Sequence, residues 1–520
     1  MKKFKNNLNK LVAASILLSG ILCSACSDTW DDHYDSTTQN AADKTLWEAI
    51  ESRSDLQSFA KYLKETGYDK ILNSSQMYTV WAPTGQIDTT GMSSNDILKE
   101  VVQNHIARYA YSATPSLSTK VLMLNNKIMT FAQAAQGYSF SDASLSSQNI
   151  IAKNGILHII NKQAAYFSNL WEVLKESQLD SIKKFMYSFT TEKFDEEHSI
   201  ESGVVDGQTI YSDSVMIESN ILWDKLGSLS KEDSSYYFIV PTNKAWRSAY
   251  DNISKYYVFE TTNAKRDSLQ TYYTKYAIVK DLIYSTANQV SPKDSVISTS
   301  KTVFKNPEQG IFAEFPGFWK GQTGKVCSNG FVFITDTLRF NAWETWQKEI
   351  KTECENTNLR SDYTGCNVYT RDVPTGSKYK VSSGRYVEVI PTSSAVNPTI
   401  TYDLPNTLSA AYDIYCIFVP PYVANANTKT AKPSIVRFQL SYHKETGAVA
   451  TFALVDTVFK SSLTNIDTVL VAENFKFPVA NYNQDNTTVN LKIMTNVKRN
   501  QTTEFTRTIM LDCVYLKPHH

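Results

Sequence analysis

The sequence predicts an α+β chain of several domains: two tandem repeats that mix helices with strands, followed by an all-β sandwich. Three observations carry this expectation. Two segments, opening at Leu46-Trp47-Glu48 and at Leu170-Trp171-Glu172, present the same elements in the same order. All nine Trp lie at or before Trp346, so the last third has a different composition. From about Asn356 onward helical periodicity gives way to short β-rich runs separated by Gly, Pro, Asn and Thr-Asn turns.

The first residues read as an export segment. Lys2, Lys3, Lys5 and Lys10 precede the short apolar run Leu11–Leu22, which Cys23-Ser-Ala-Cys26 closes with small residues. That is the layout of a signal peptide over residues 1–25, too short to span a bilayer comfortably. Ser24-Ala25-Cys26 resembles the lipobox of bacterial lipoproteins, although Cys23 stands where Leu is usual. The resemblance implies that Cys26 becomes the lipidated first residue. Residues 26–43 form an acidic tether, in which Ser27, Asp28, Asp31 and Asp32 resemble the surface-export signal of Bacteroidetes lipoproteins. Together these imply a protein lipid-anchored in the outer membrane and facing the cell exterior. Acyl chains contribute about 0.8 kcal/mol per buried methylene, enough to hold a protein that no segment carries across the bilayer. The Asp and His residues of the tether fix no ligand geometry, so no metal is expected there.

Composition excludes several classes. Lys plus Arg equals Asp plus Glu, 52 each, so there is no basic field for nucleic acid. Thirty Tyr and 24 Phe suit β-structure and recognition surfaces. Beyond Cys23 and Cys26, five cysteines remain: Cys327, Cys354, Cys366, Cys416 and Cys513. An odd number leaves at least one free or bonded to another chain. Cys354 and Cys366 are close enough in sequence for a loop-closing disulfide; buried free thiols are the equal alternative. None of these five forms a CxxC pair, which removes zinc-ribbon and thioredoxin-type sites from the body of the chain.

In the first repeat, residues 44–166, a helical pattern runs from Leu46 to Leu72. The strand Tyr78-Thr-Val-Trp-Ala-Pro-Thr84 follows it, and Asn154-Gly-Ile-Leu-His-Ile159 closes the repeat. In the second, residues 167–345, the matching parts are Leu170–Met186, Tyr237-Phe-Ile-Val-Pro-Thr-Asn243 and Asn329-Gly-Phe-Val-Phe-Ile334. Three matched elements in one order make an internal duplication.

These elements resemble the fasciclin domain, an extracellular adhesion module. Thr79–Thr84, with Ala82-Pro83-Thr84, looks like its first segment, Gly85 replacing the usual Asn. Asn104-His105-Ile106 looks like the second segment, and Asn154-Gly155 opens the closing strand. In the second repeat Pro241, Thr242 and Asn243 match the first segment, and Asn329-Gly330 match the closing one. The histidine segment degrades to roughly Tyr276–Val279, and insertions near residues 190–220 and 285–325 stretch the domain. The roles expected of these residues are structural. Proline ends the strand, Thr84 or Asn243 caps the next helix, and His105 is a hydrogen-bonded core residue.

Residues 346–357 are expected to be a linker. Over 358–520, strands are predicted at Arg385–Ile390, Tyr412–Val419, Ser434–Tyr442, Ala450–Phe459, Thr468–Ala472, Thr488–Met494 and Thr506–Leu516. The stretch from Tyr402 to Pro421 looks like a galactose-binding-type jelly roll, a fold that often carries carbohydrate-binding modules. Tyr363, Tyr369, Tyr422 and Tyr482 are then the candidate ligand-binding aromatics. No GxSxG, HExxH, P-loop or Cys/His constellation is present, and Asp195-Glu196-Glu197-His198 falls in an insertion that reads as a solvated loop. The expectation is a non-catalytic surface lipoprotein without cofactor or metal. Fasciclin-containing lipoproteins of this kind resemble accessory members of SusC/SusD-like uptake systems, which implies a SusC/SusD-like transporter complex as partner and a glycan or peptide as ligand. The alternative is an adhesin contacting host matrix or neighbouring cells.

Overall fold

The computed structural model describes residues 43–88, 95–288, 295–305, 321–424 and 430–520. The signal peptide, Cys26 and the export residues Ser27, Asp28, Asp31 and Asp32 lie outside them. The chain divides into two compact units, before and after the Tyr166–Phe167 bond. No helix among the described residues is long and apolar enough to cross a membrane.

The first unit opens with three short helices, α1 (Leu46–Glu51), α2 (Gln57–Glu65) and α3 (Tyr68–Leu72), where the sequence pattern suggests one long one. Thr45 starts α1 by a capping box: its hydroxyl accepts the Glu48 amide at 3.3 Å, and the Glu48 carboxylate accepts the Thr45 amide at 2.8 Å. Strand β1 (Tyr78–Pro83), helix α4 (Asn95–Gln103) and β2 (Ile106–Arg108) follow. A meander of β3 (Ser118–Leu122), β4 (Ile128–Gln133), β5 (Tyr138–Phe140) and β6 (Ala143–Ala152) leads to β7 (Gly155–Ile160). They make one seven-stranded sheet, β2-β1-β7-β6-β5-β4-β3, in which β1 and β7 run parallel with Tyr78 opposite Gly155. Trp81 sits at the centre of its core, stacked on Phe140 at 4.4 Å.

The second unit begins with the same plan. Helices α5 (Leu170–Glu176) and α6 (Asp180–Tyr187) follow a capping box at Asn169 and Glu172. A ribbon of β8 (Thr190–Val205) and β9 (Gln208–Asn220) occupies the insertion expected to be a loop; its two strands pair only with each other, and Phe194, Val204 and Met216 are exposed on it. Then come α7 (Trp223–Leu226), β10 (Tyr236–Pro241), α8 (Asn243–Ile253), α9 (Arg266–Val279) and β11 (Ile283–Ser285). The small hairpin β12 (Ser295–Ile297) and β13 (Val303–Lys305) precedes β14 (Lys325–Cys327) and β15 (Gly330–Thr335). Strand β15 runs parallel to β10 with Tyr236 opposite Gly330, the register of the first repeat.

One device locks both repeats. The Asn154 side chain accepts the Leu46 amide at 2.8 Å and donates to the Leu72 and Ser74 carbonyls at 2.9 and 2.7 Å. Asn329 likewise accepts the Leu170 amide at 2.8 Å and donates to the Leu229 and Lys231 carbonyls at 2.8 and 3.0 Å. The glycine after each has no room for a side chain: a Cβ would lie 1.8 Å from the Tyr78 carbonyl oxygen at Gly155, and 1.9 Å from that of Tyr236 at Gly330. At φ +149° and +145°, both also hold a backbone conformation that favours glycine.

The sandwich starts earlier than expected. Strand β16 (Ile350–Glu353) falls inside residues 346–357 and pairs with β26 (Ile509–Pro518), so those residues are no linker. Alternating burial makes them a strand: Thr352 and Cys354 point into the core, and Lys351 and Glu353 point out of it. The other strands are β17 (Arg360–Thr364), β18 (Cys366–Asp372), β19 (Arg385–Pro391), β20 (Thr399–Asp403), β21 (Ala411–Phe418), β22 (Ile435–His443), β23 (Val449–Lys460), β24 (Asp467–Lys476) and β25 (Asn490–Thr495). One sheet has the order β18-β19-β26-β21-β24 with β16 added on β26, and the other β17-β20-β25-β22-β23. Most connections cross between the sheets, the winding of a jelly roll. The fold is therefore α+β and multidomain: two tandem fasciclin-like domains followed by an all-β sandwich.

Replacing Asn154 with Ala removes three hydrogen bonds, two of them buried, and should cost about 3 kcal/mol or more in urea unfolding of the first unit. Gly155→Ala should be worse. A cost below about 0.5 kcal/mol for either would remove the lock from the account.

Candidate functional site

The fasciclin-motif residues are used internally. Thr79 Oγ1 donates to the Tyr109 carbonyl at 2.7 Å and accepts the Tyr111 amide at 2.9 Å. Ala82 is fully buried, and Pro83 ends its strand opposite Ile160 as Pro241 does opposite Thr335. Thr84 donates its hydroxyl to the Ile160 carbonyl and caps no helix. At the second site the cap is Thr242, whose hydroxyl accepts the Ala245 amide; Asn243 is the first helical residue and accepts the Ser181 amide at 2.9 Å.

His105 is fully buried. Its Nδ1 donates to the Val101 carbonyl at 2.9 Å, and its Nε2 accepts the Ala164 amide at 3.1 Å, which fixes a neutral ring. Its counterpart is Leu282, not the Tyr276–Val279 segment. The His105 carbonyl accepts from Trp81 and the Leu282 carbonyl from Ile239, both at 2.9 Å, whereas Tyr276–Val279 closes α9. His158, stacked on Trp81, is also buried and neutral, donating to the Tyr111 carbonyl and accepting the Asn149 amide.

The four candidate aromatics do not form one platform. Tyr363 and Tyr369 are exposed but belong to different sheets, Tyr363 on β17 and Tyr369 on β18 under the Arg371 guanidinium. Tyr422 packs against a small core cluster around Tyr379, Tyr386, Val419 and Val423. Of the four, Tyr482 lines a large cavity.

That cavity is a cleft of about 790 Å³ between the second fasciclin-like domain and the sandwich, both parts of the second unit. One wall is the face of α9, with Tyr272, Tyr273 and Tyr276, continued by Lys280, Ser300, Thr302 and Lys225. The other wall is Trp346, Lys348, Lys351, Asn406, Tyr482 and Asn483. The tyrosines hold each other across the joint. Tyr273 meets Tyr482 edge-on at 5.1 Å and Tyr257 in a stack at 5.8 Å, and Asn483 Nδ2 donates to Tyr273 Oη at 2.9 Å. Tyr272 and Tyr276, one helical turn apart, lie nearly parallel at 6.0 Å and half-exposed. Burial raises the phenol pKa of Tyr272, Tyr276 and Tyr482, so these rings stay neutral donors. Beneath the floor, buried Asp281 takes the Lys280 ammonium on Oδ2, and the Ser298 and Ser300 hydroxyls at 2.8 and 2.7 Å on Oδ1.

All five cysteines outside the export segment are free and buried, so no Cys354–Cys366 disulfide forms. Glu353, Asp512 and Cys513 bring potential ligand atoms within 4.8 Å of one another. A cation is already there: Lys351 Nζ lies 3.0 Å from Glu353 Oε1, and both Asp512 oxygens accept the Ser382 amide. Burial pushes the Cys513 thiol up to about 12 and the Asp512 carboxyl up to about 6, and a protonated thiol is a poor metal ligand.

Residues 54–163 match the family described as Fasciclin domain, so the chain carries a fasciclin domain in its first unit. Among solved structures, the FAS1 domain pair of the insect cell adhesion molecule fasciclin I is similar at 14% identity, covering 56% of this chain and 98% of that one, with a TM-score of 0.21. The CBM22-1 xylan-binding domain of Paenibacillus barcinonensis Xyn10C is similar at 10% identity, covering 34% and 96%, with a TM-score of 0.21. The C-terminal family 22 carbohydrate-binding module of Clostridium thermocellum Xyn10B is similar at 9% identity, covering 33% and 92%, with a TM-score of 0.20. No curated protein matches the chain.

Burial holds His105 and His158 at about 4, below the usual imidazole value. The unfolded chain therefore takes up protons first as pH falls. The stability this neutrality carries is complete above about pH 6.5 and drains between there and about pH 4, on the order of 3 kcal/mol per histidine. Thermal melting of the full chain followed through the first unit should fall steeply across that window. A flat profile would contradict the burial of the two rings.

Proposed function

We propose that this chain is a non-catalytic, lipid-anchored outer-membrane protein that faces the cell exterior and binds a polymer, glycan or peptide, beside a SusC/SusD-like importer. The observation that carries the binding role is the cleft: an open, preformed cavity of about 790 Å³ combines aromatic rings with side-chain amides, hydroxyls and ammonium groups. Its size lies in the usual range for ligand sites. Glu349 is the one carboxylate among the residues lining it, whereas glycoside hydrolysis ordinarily needs two. The export segment, with its lipobox and acidic tether at Cys26–Asp32, supports the surface location and the importer partnership.

A second reading is favoured by the fasciclin domain itself, a module of adhesion proteins: an adhesin contacting host matrix or neighbouring cells. Purifying the tagged, lipidated protein from its own membrane in mild detergent separates the two. A stoichiometric SusC/SusD-like pair in the eluate, together with cleavage of the protein by protease added to whole cells, is the expected result. Recovery of the protein alone, with growth on polymers unchanged and adherence lost on deletion, would replace the importer reading by the adhesin.

A further inference from the structure

The charges of the cleft are unevenly matched. Four lysines line it, Lys225, Lys280, Lys348 and Lys351, against the single carboxylate of Glu349. Two have their own counter-ions, Asp281 for Lys280 and Glu353 for Lys351. Among the described residues, no carboxylate lies within ion-pair distance of Lys225 or Lys348. The Lys348 ammonium instead donates to Thr302 Oγ1 at 3.3 Å, the same neutral oxygen that takes the Lys280 ammonium at 3.2 Å. Two like charges are thereby held side by side on one hydroxyl. Burial, and then the Lys348 charge, push the Lys280 pKa below the usual lysine range against the pull of Asp281.

Such a pair lowers its energy when an anion bridges it. Each ammonium has three N–H donors, and Lys348 spends one of them within the protein. A carboxylate or sulfate oxygen against both would gain charge-assisted hydrogen bonds in a half-desolvated site. The rest of the cleft selects what carries the anion. The half-exposed rings of Tyr272 and Tyr276 offer apolar surface with a hydroxyl at the edge, and Lys225 sits 6.0 Å over the Tyr276 ring. Asn406 and Asn483 supply exposed side-chain amides on the facing wall. Aliphatic side chains are few, Ala277, Ile350 and Pro405, so there is no deep apolar pocket of the kind that anchors a peptide side chain.

Resting on the reading of the cleft as a polymer site, we propose that its ligand is an acidic saccharide, a chain of pyranose units bearing carboxylate or sulfate groups, with one anion between Lys280 and Lys348 and sugar faces on Tyr272 and Tyr276.

The test is calorimetric titration of the full-length protein in detergent with four probes: hexagalacturonic acid, its methyl ester, a κ-carrageenan hexasaccharide (sulfate without carboxylate) and hexaglutamate. The expected result is binding of one or both acidic saccharides, weakened about ten-fold by Lys348→Gln and by raising the salt, with the methyl ester weaker still. Which of the two binds tells carboxylate from sulfate. Lys348 is exposed, so its substitution should leave folding intact, and Lys225→Gln provides a second reading of the same charge. Equal binding of the acid and its ester, unchanged in Lys348→Gln, would overturn the acidic preference and leave the polymer site standing. Binding of hexaglutamate alone would overturn the saccharide. Failure of all four probes, repeated with neutral glycans, would overturn both this inference and the cleft as a binding site.

Discussion

The main-chain seam between residues 255–262 and the sandwich is what the candidate site depends on. Ser409 reaches into it three times: its amide donates to the Tyr256 carbonyl at 3.0 Å, its hydroxyl donates to the Lys255 carbonyl at 2.7 Å, and the same hydroxyl accepts the Val258 amide at 3.0 Å. Ala480 donates to the Val258 carbonyl, and Thr261 donates both its amide and its hydroxyl to the Glu445 carbonyl. Outside the backbone, the tyrosine cluster of Tyr257, Tyr273 and Tyr482 and the contact of His443 with Glu260 close the same joint. A single apolar core runs from Leu170 to Leu516 without a break at the joint. Inter-domain joints are commonly polar and yielding. Here the buried core and the backbone bonds hold two walls at a fixed separation, and that separation is the cleft.

The duplication explains why one wall has the shape it does. Both repeats are closed by an Asn-Gly pair that ties the first helix to the parallel strand, so the central strand pairs are fixed alike. They diverge in what lies between those central strands. The first repeat extends its sheet with the β3–β6 meander and keeps a buried histidine at position 105. The second has Leu282 there, a longer helix α9 and the β12–β13 hairpin. That helix and that hairpin bring Tyr272, Tyr276, Ser300 and Thr302 to the joint. The first repeat closes on its own aromatic core around Trp81, whereas the second presents a face that the sandwich completes.

Much of the fold was legible in the sequence, because periodicity and short motifs report on local structure. The paired Leu-Trp-Glu openings, the Ala-Pro-Thr and Val-Pro-Thr strand ends and the two Asn-Gly turns all mark real, equivalent elements. The predicted sandwich strands from Arg385 to Leu516 each correspond to an observed strand within a few residues. What escaped was the short buried strand β20, five residues between Pro398 and Pro405, and structure whose pattern is polar. Strands β16, β17 and β18 carry exposed Lys351, Asp362, Tyr363 and Arg371, and the β8–β9 ribbon is rich in charged and hydroxyl residues with no regular alternation. The site was far less visible. Its residues come from segments as far apart as Lys225 and Asn483, and Tyr482 is the one candidate aromatic of the sequence among them. The Tyr272-Tyr273-Tyr276 spacing is a signal, since it places three rings on one helical face. Nothing in the sequence places Lys348 beside Thr302, because that proximity exists only once the seam has formed. The last third has no Trp, and the one indole in the cleft, Trp346, enters it from just before the sandwich.

Hydrogen exchange of the full chain across a urea series, read peptide by peptide, tests the central claim most directly. If the seam makes residues 167–520 one cooperative body, peptides from α9 and from β21 lose protection at the same urea concentration. Loss of protection in α9 while β21 stays protected would show two independently folded domains, and the cleft between them could not then be a fixed site.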